Sequence, residues 1–155
     1  MHRRLLIDGY SLLYRDTSLD ALRARDMRRA REALIRKIDR IADALADSVE
    51  IVFDGRTGSP EDIRTGRVRV LFSNTEQSAD TVIEQLVHQD PGPAEIQVVT
   101  ADRLERDTVL AADAQVISCA AFLERLDRLD RDLTRAAARS APRARFTLGD
   151  QFPEI

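Results

Sequence analysis

Asp8 closes the apolar run LLID, Asp54 closes VEIVFD, and Asp102 follows EIQVVT after one intervening alanine. A fourth acid, Asp80, opens a stretch with helical spacing in QSADTVIEQLV. Acids this far apart can share chemistry only if the fold gathers them at one rim. Gathered there, their carboxylates repel one another unless a cation sits among them. An all-oxygen donor set selects Mg²⁺ or Mn²⁺ rather than zinc. Such a centre suits phosphodiester hydrolysis, because the cation polarises the phosphate and makes an attacking water more acidic. Each acid also has an ordinary use. Asp102 can cap a helix, Asp80 can serve a helix dipole, and Asp54 before Gly55 suits a turn.

The elements that must position these acids follow from hydrophobic period and punctuation. Strands are expected at about Arg4–Asp8, Val49–Asp54, Val68–Ser73, Glu95–Thr100 and Gln115–Ser118. Between the first two, Thr17-Ser18-Leu19-Asp20 reads as a helix start. Met27, Ala30, Leu34, Ile38, Ile41 and Leu45 then recur at helical spacing, predicting one long amphipathic helix that ends near Asp47. A Gly- and Arg-rich loop, GRTGSPEDIRTGR, holds a second helix start at Ser59-Pro60-Glu61-Asp62. Ser73-Asn74-Thr75-Glu76 matches a capping box for the helix that carries Asp80, and DPGP at residues 90–93 ends it. Helices are also expected at about 102–112 and along the stripe of Phe122, Leu126, Leu129 and Leu133. Beyond Arg139 there is no period. The expected organisation is one domain, residues 1–138, and a C-terminal tail, residues 139–155.

Strands alternating with helices imply βαβ units and a parallel sheet covered on both faces. Ligands bind such sheets beyond the carboxyl ends of the strands, which is where Asp8, Asp54 and Asp102 fall.

Composition narrows the remaining choices. With 43% hydrophobic and 33% charged residues the chain is an ordinary globular one. A single cysteine, Cys119, precludes an internal disulfide and suits a reducing compartment, so the cytoplasm is the expected location. No apolar run reaches the ~20 residues of a membrane span, and MHRRLLIDGY meets Asp8 too soon for a signal peptide. Net charge is −3, yet the segment Arg23–Arg40 carries eight bases against three acids. Nearly all those bases are arginine, whose planar fork suits phosphate. Taken alone, a solvated helix face explains them somewhat better. There is no P-loop, no G-x-G-x-x-G after a strand and no Cys/His cluster, the only histidines being His2 and His88. Cys119 reads as core. Tyr14 reads as packing, and Tyr10 as packing or a base-stacking residue.

The blocks LLIDGYSLL, VEIVFDG, QSADTVIEQLV and IQVVTADRLERD, in that order, resemble the YacP-like branch of the NYN-domain family of PIN-like proteins. The resemblance implies a three-layer α/β/α domain with a mainly parallel sheet of about five strands. It also implies a Mg²⁺- or Mn²⁺-dependent endoribonuclease with RNA as its partner and, for some bacterial members, the ribosome. By position, Asp8, Asp80 and Asp102 match the family's catalytic acids, and Asp54 joins them as a metal ligand. Arg103 and Glu105 continue the last block and line the site. Ser11 and Tyr10, with Arg56, Arg64, Arg67 and Arg103, complete the expected substrate contacts, and the Arg23–Arg31 face offers a further guide for an RNA backbone. Two positions depart from the family pattern. Ser11 stands where the family carries asparagine, and Gln77 where it carries glutamate. These changes favour a second reading, a PIN-like RNA- or ribosome-binding module without catalysis. A phosphatase of the haloacid-dehalogenase type needs an aspartate two residues after its nucleophile, and position 10 is tyrosine.

Overall fold

A computed structural model describes residues 2–55, 63–74 and 76–140, with residues 63–65 described by backbone alone. Arg56, the Ser59–Asp62 helix start and the tail from residue 141 lie outside the described residues.

Five strands run parallel: β1 (His2–Asp8), β2 (Ala46–Phe53), β4 (Val68–Phe72), β5 (Ile96–Val99) and β6 (Gln115–Ile117). A short strand that the sequence does not announce, β3 (Ile63–Thr65), pairs antiparallel with β4 at one edge. The order is β3-β4-β2-β1-β5-β6. The chain therefore builds outward from β1 on one side, then returns to build on the other. That reversal puts a crevice between the carboxyl ends of β1 and β5, the place where such sheets bind ligands.

Alternation of apolar residues along the strands gives each face of the sheet its own core. Leu5, Ile7, Ile51, Phe53 and Val70 pack with Leu13, Leu34, Ile38 and Phe122. These last come from helices α1 (Gly9–Arg15), α3 (Met27–Asp39) and α7 (Cys119–Ser140). Leu6, Val52 and Val98 pack on the opposite face with Ile83, Val87 and Val109, from α5 (Ala79–Gln89) and α6 (Arg103–Ala111). The result is the expected three-layer α/β/α arrangement.

The single long helix expected before β2 is instead broken. After α1 come a 3-10 turn at Thr17–Leu19, α2 (Asp20–Arg25), α3 and the one-turn α4 (Ala42–Leu45). Asp26 causes one break: its backbone is extended, and its side chain accepts the Arg29 N–H at 3.2 Å, capping α3. Asp39 ends α3 and reaches across to accept the N–H groups of Arg67 at 2.6 Å and Val68 at 3.2 Å. It thereby pins the turn through Gly66, whose φ of 61° suits only glycine well. The Ser73–Glu76 capping box is not used either. Ser73 Oγ accepts the Gly55 N–H at 3.0 Å, and Asn74 closes a local turn onto Glu76 and Gln77, both at 2.9 Å. The cap of α5 is Ser78, which accepts the Thr81 N–H at 3.3 Å. At the far end of the sheet, Arg3 and Arg4 both pair with Asp90, and Arg4 also forks onto Glu50, at 2.6 and 3.1 Å. This network ties β1 and β2 to the end of α5.

Candidate metal centre

Three helix N-termini converge beyond the carboxyl ends of β1 and β5, and each brings acids. Asp8 is the last residue of β1 and the cap of α1, accepting the Ser11 N–H at 3.3 Å. Asp80 lies in the first turn of α5. Asp102 caps α6 through the N–H groups of Leu104 at 2.8 Å and Glu105 at 3.3 Å. Glycine follows Asp8 because a Cβ at Gly9 would come 2.4 Å from the Phe53 ring. The turn that delivers Asp8 is thus pressed against the core.

The acids that meet are Asp8, Asp80 and Glu105, with one carboxylate oxygen of each within 4.8 Å of the others. Asp8 and Glu105 are buried and Asp80 half-buried. Outside the acid cluster itself, Glu105 is held from one side. Its Oε2 accepts from Thr100 Oγ1 at 2.8 Å, while its Oε1 is buried without a hydrogen-bond partner. Burial, first, and the Asp8 carboxylate, second, push the Glu105 carboxyl up to about 10. Burial also raises the Asp80 carboxyl; a hydrogen bond from the Glu105 carboxyl opposes the rise, and the charges of Asp8 and Asp102 add to it. The Cys119 thiol is pushed up to about 11, by burial and then by Asp8, and is an inert core group as expected.

The sequence places Asp102 among the metal ligands and Glu105 only beside them; the geometry gathers Glu105 and leaves Asp102 as the neighbour that caps α6. The signal for Glu105 was masked by its position. As the third residue of a helix capped by Asp102, it reads as a capping-box glutamate, yet its carboxylate turns back to Thr100 and the cluster.

Asp54, Tyr10 and Ser11 line a cavity of about 500 Å³ with Asp8, Asp80, Tyr14 and Arg15. Tyr14 is not packed away as expected. It is 57% exposed, with the Arg23 guanidinium 4.6 Å above its ring. Arg103 lines an adjoining cavity of about 470 Å³ with Asp102, Arg15 and Arg106. Arg67 is not brought to this rim. It stands at the start of β4, at the other end of the strand, and pairs with Asp43 at 2.9 Å. Arg64 falls on β3, and its side chain lies outside the described residues. No helix among the described residues is long and apolar enough to cross a membrane.

Comparison with known proteins finds relatives of the same fold. Over 134 residues the chain is 28% identical to the protein YacP of Bacillus subtilis (strain 168), covering 84% of this chain and 79% of that one. The crystal structure of Rae1 (YacP) from Bacillus subtilis superposes with a TM-score of 0.77 at 26% identity, over 90% of this chain and 81% of that one. A mutant of the same protein gives a TM-score of 0.76 at 27% identity, over 88% and 82%. The model of the YacP-like NYN domain matches residues 5–153. By that match over nearly its whole length, the chain belongs to the YacP-like NYN domain family.

Proposed function

We propose that this protein is a metal-dependent endoribonuclease that cleaves RNA by phosphodiester hydrolysis. The observation that carries the proposal is the meeting of Asp8, Asp80 and Glu105, three carboxylates from three separate elements. The donor set fits a hard divalent cation on two counts. Every ligand atom is a carboxylate oxygen, and Glu105 Oε1 is buried with no donor offered to it by any group outside the acid cluster. Mg²⁺ or Mn²⁺ held by Asp8, Asp80 and Glu105 would offset charge on the phosphate and make a water more acidic.

The chain's own groups do the rest. Thr100 fixes the rotamer of Glu105 by its 2.8 Å hydrogen bond. Asp102 fixes the helix turn from which Glu105 projects, and its charge is felt by Asp80. Arg15 lines both cavities of the rim, and with Arg103 and Arg106 it offers guanidinium groups to a phosphate chain. Tyr10, Ser11 and Asp54 wall the cavity that receives the scissile phosphate. RNA is the substrate that family membership favours, with the ribosome as the setting, and the cytoplasm is where both are met.

A second reading, an RNA-binding module without catalysis, rests on Ser11 and Gln77, where the family carries asparagine and glutamate. One assay separates the two. The protein and its Asp8→Asn variant are incubated with a long unstructured RNA plus Mn²⁺ or Mg²⁺, with and without chelator. Cleavage that needs the cation and Asp8 supports the enzyme. Tight binding without cleavage supports the module. Cleavage that survives both chelator and Asp8→Asn belongs to a contaminant and defeats the proposal.

A further inference from the structure

A second groove opens between α3 and β4, on the face of the sheet that also carries α1. Ile35, Val70 and Phe72 form its floor and Arg28, Arg31 and Arg36 its rim, enclosing about 470 Å³. Two sets of contacts join it to the acidic cavity. Arg31 Nη1 donates to the Tyr10 hydroxyl at 3.1 Å, and Tyr10 walls that cavity. The Phe72 ring stacks on Phe53 at 5.7 Å, and Phe53 meets the Tyr10 ring edge-on at 5.1 Å. A row of aromatic rings therefore leads from the acidic centre to the groove.

The charge of the groove is one-sided. Among the described residues its rim holds three arginines against one acid, Glu32, which engages Arg28 at 3.4 Å. An apolar and aromatic floor edged by guanidinium groups matches one chemistry closely: an unpaired base laid on the floor, with its flanking phosphates on the rim. A base inside a duplex has both faces already stacked and cannot enter.

We propose that the α3/β4 groove receives an unpaired base of the same RNA strand whose scissile phosphate lies at the acidic centre. This inference rests on the RNA-substrate reading above and adds a subsite to it. Arg28, Arg31 and Arg36 take the phosphates on either side of that base. Stacking on the floor accepts any base, so the groove selects for single-strandedness rather than for sequence.

The test measures binding without chemistry. Fluorescence anisotropy, with chelator present, follows a short unstructured RNA and a series of the same RNA lacking one base at a time. The expected profile has a step: removing one particular base weakens binding roughly 5- to 100-fold. The double variant Arg28→Glu/Arg36→Glu, both exposed positions, flattens the step, and Ile35→Ser does the same from the floor. Arg135→Glu/Arg139→Glu, an equal charge change on the exposed end of α7, keeps it. Melting curves confirm that each variant folds. A flat profile for the unaltered protein overturns the groove, as does a step that the groove variants leave intact. Failure to bind RNA at all also overturns it and leaves the surface to a protein partner. A step in a protein that never cleaves sustains the groove while removing the nuclease, and cleavage with a flat profile does the reverse.

Discussion

Thr100 and Glu105 form a closed pair: the threonine hydroxyl donates to Glu105 Oε2 at 2.8 Å and accepts the Asp102 N–H at 3.0 Å. One side chain thus links the end of β5, the cap of α6 and the most buried acid of the centre. Replacing it by the near-isosteric valine removes the one hydrogen bond that Glu105 receives from outside the acid cluster. Thr100→Val is expected to weaken divalent-cation affinity by roughly 10- to 100-fold. Titration calorimetry with Mn²⁺ reads this directly, and unchanged affinity would deny Thr100 its positioning role.

Burial beside Asp8 raises the Glu105 carboxyl to about 10, and keeping it protonated in the native state costs stability that a neutral isostere returns. With chelator present, Glu105→Gln is expected to stabilise the fold by about 1–2 kcal/mol, while RNA cleavage with Mn²⁺ is lost. Opposite signs for stability and activity distinguish a functional acid from a structural one. A variant that loses both would show that Glu105 serves the core.

Cation binding to the native state raises the melting temperature by mass action. At a hundredfold excess over the dissociation constant the gain is about 2.7 kcal/mol, or roughly 5–10 °C for a chain of this size. Mn²⁺ and Mg²⁺ should each give this shift, and Asp8→Asn should abolish it. A shift of the same size in Asp8→Asn would place the ion elsewhere.

Gly9 is constrained by space. A Cβ there would lie 2.4 Å from the Phe53 ring, so Gly9→Ala must displace the ring or the turn that follows Asp8. The expected cost is about 1–3 kcal/mol in denaturant unfolding. Cation affinity falls with it, because Asp8 is the adjoining residue. An alanine variant with native stability would mean that Phe53 yields freely.

Acid sensitivity should arise at the opposite end of the sheet. Burial by itself would raise the Asp90 carboxyl, but the Gly92 N–H and the Arg4 and Arg3 guanidiniums outweigh it and hold the group below its ordinary value of 3.8. The native state therefore binds this proton less readily than the unfolded chain. The stabilisation is full above the ordinary value and is lost as pH falls through the lower native one. Asp90→Asn is expected to cost about 3 kcal/mol at neutral pH and to flatten the decline in stability below pH ~4. Chemical unfolding across pH checks both slopes.

Much of this architecture is legible in the sequence, because period and punctuation act locally. Three of the five parallel strands fall where apolar runs end in Asp8, Asp54 and Val99-Thr100, and DPGP ends α5 as expected. What escapes is decided by partners distant in the chain. The period of Met27 to Leu45 continues through Asp39, but Asp39 leaves its helix to cap the N–H groups of Arg67 and Val68. Ser73 looks like a helix cap and serves Gly55 instead. Arg67 sits in a loop that a linear reading brings near the site, and the direction of β4 carries it to the other end. Within the centre, Asp8 and Asp80 are legible from their places at strand and helix ends. Glu105 is less so, because its spacing from Asp102 matches a local capping pattern while its true partners are Thr100, Asp8 and Asp80.

The placement of β1 between β2 and β5 has a bearing on how the protein comes into being. Asp8 lies on β1, Asp80 on α5 and Glu105 on α6, so the cluster is complete only once α6 has followed β5 onto the flank of β1. A chain that stops before α6 lacks Glu105 and with it the full cluster. Assembly order thus acts as a safety catch: whatever chemistry the three acids perform together is withheld until β5 and α6 are in place.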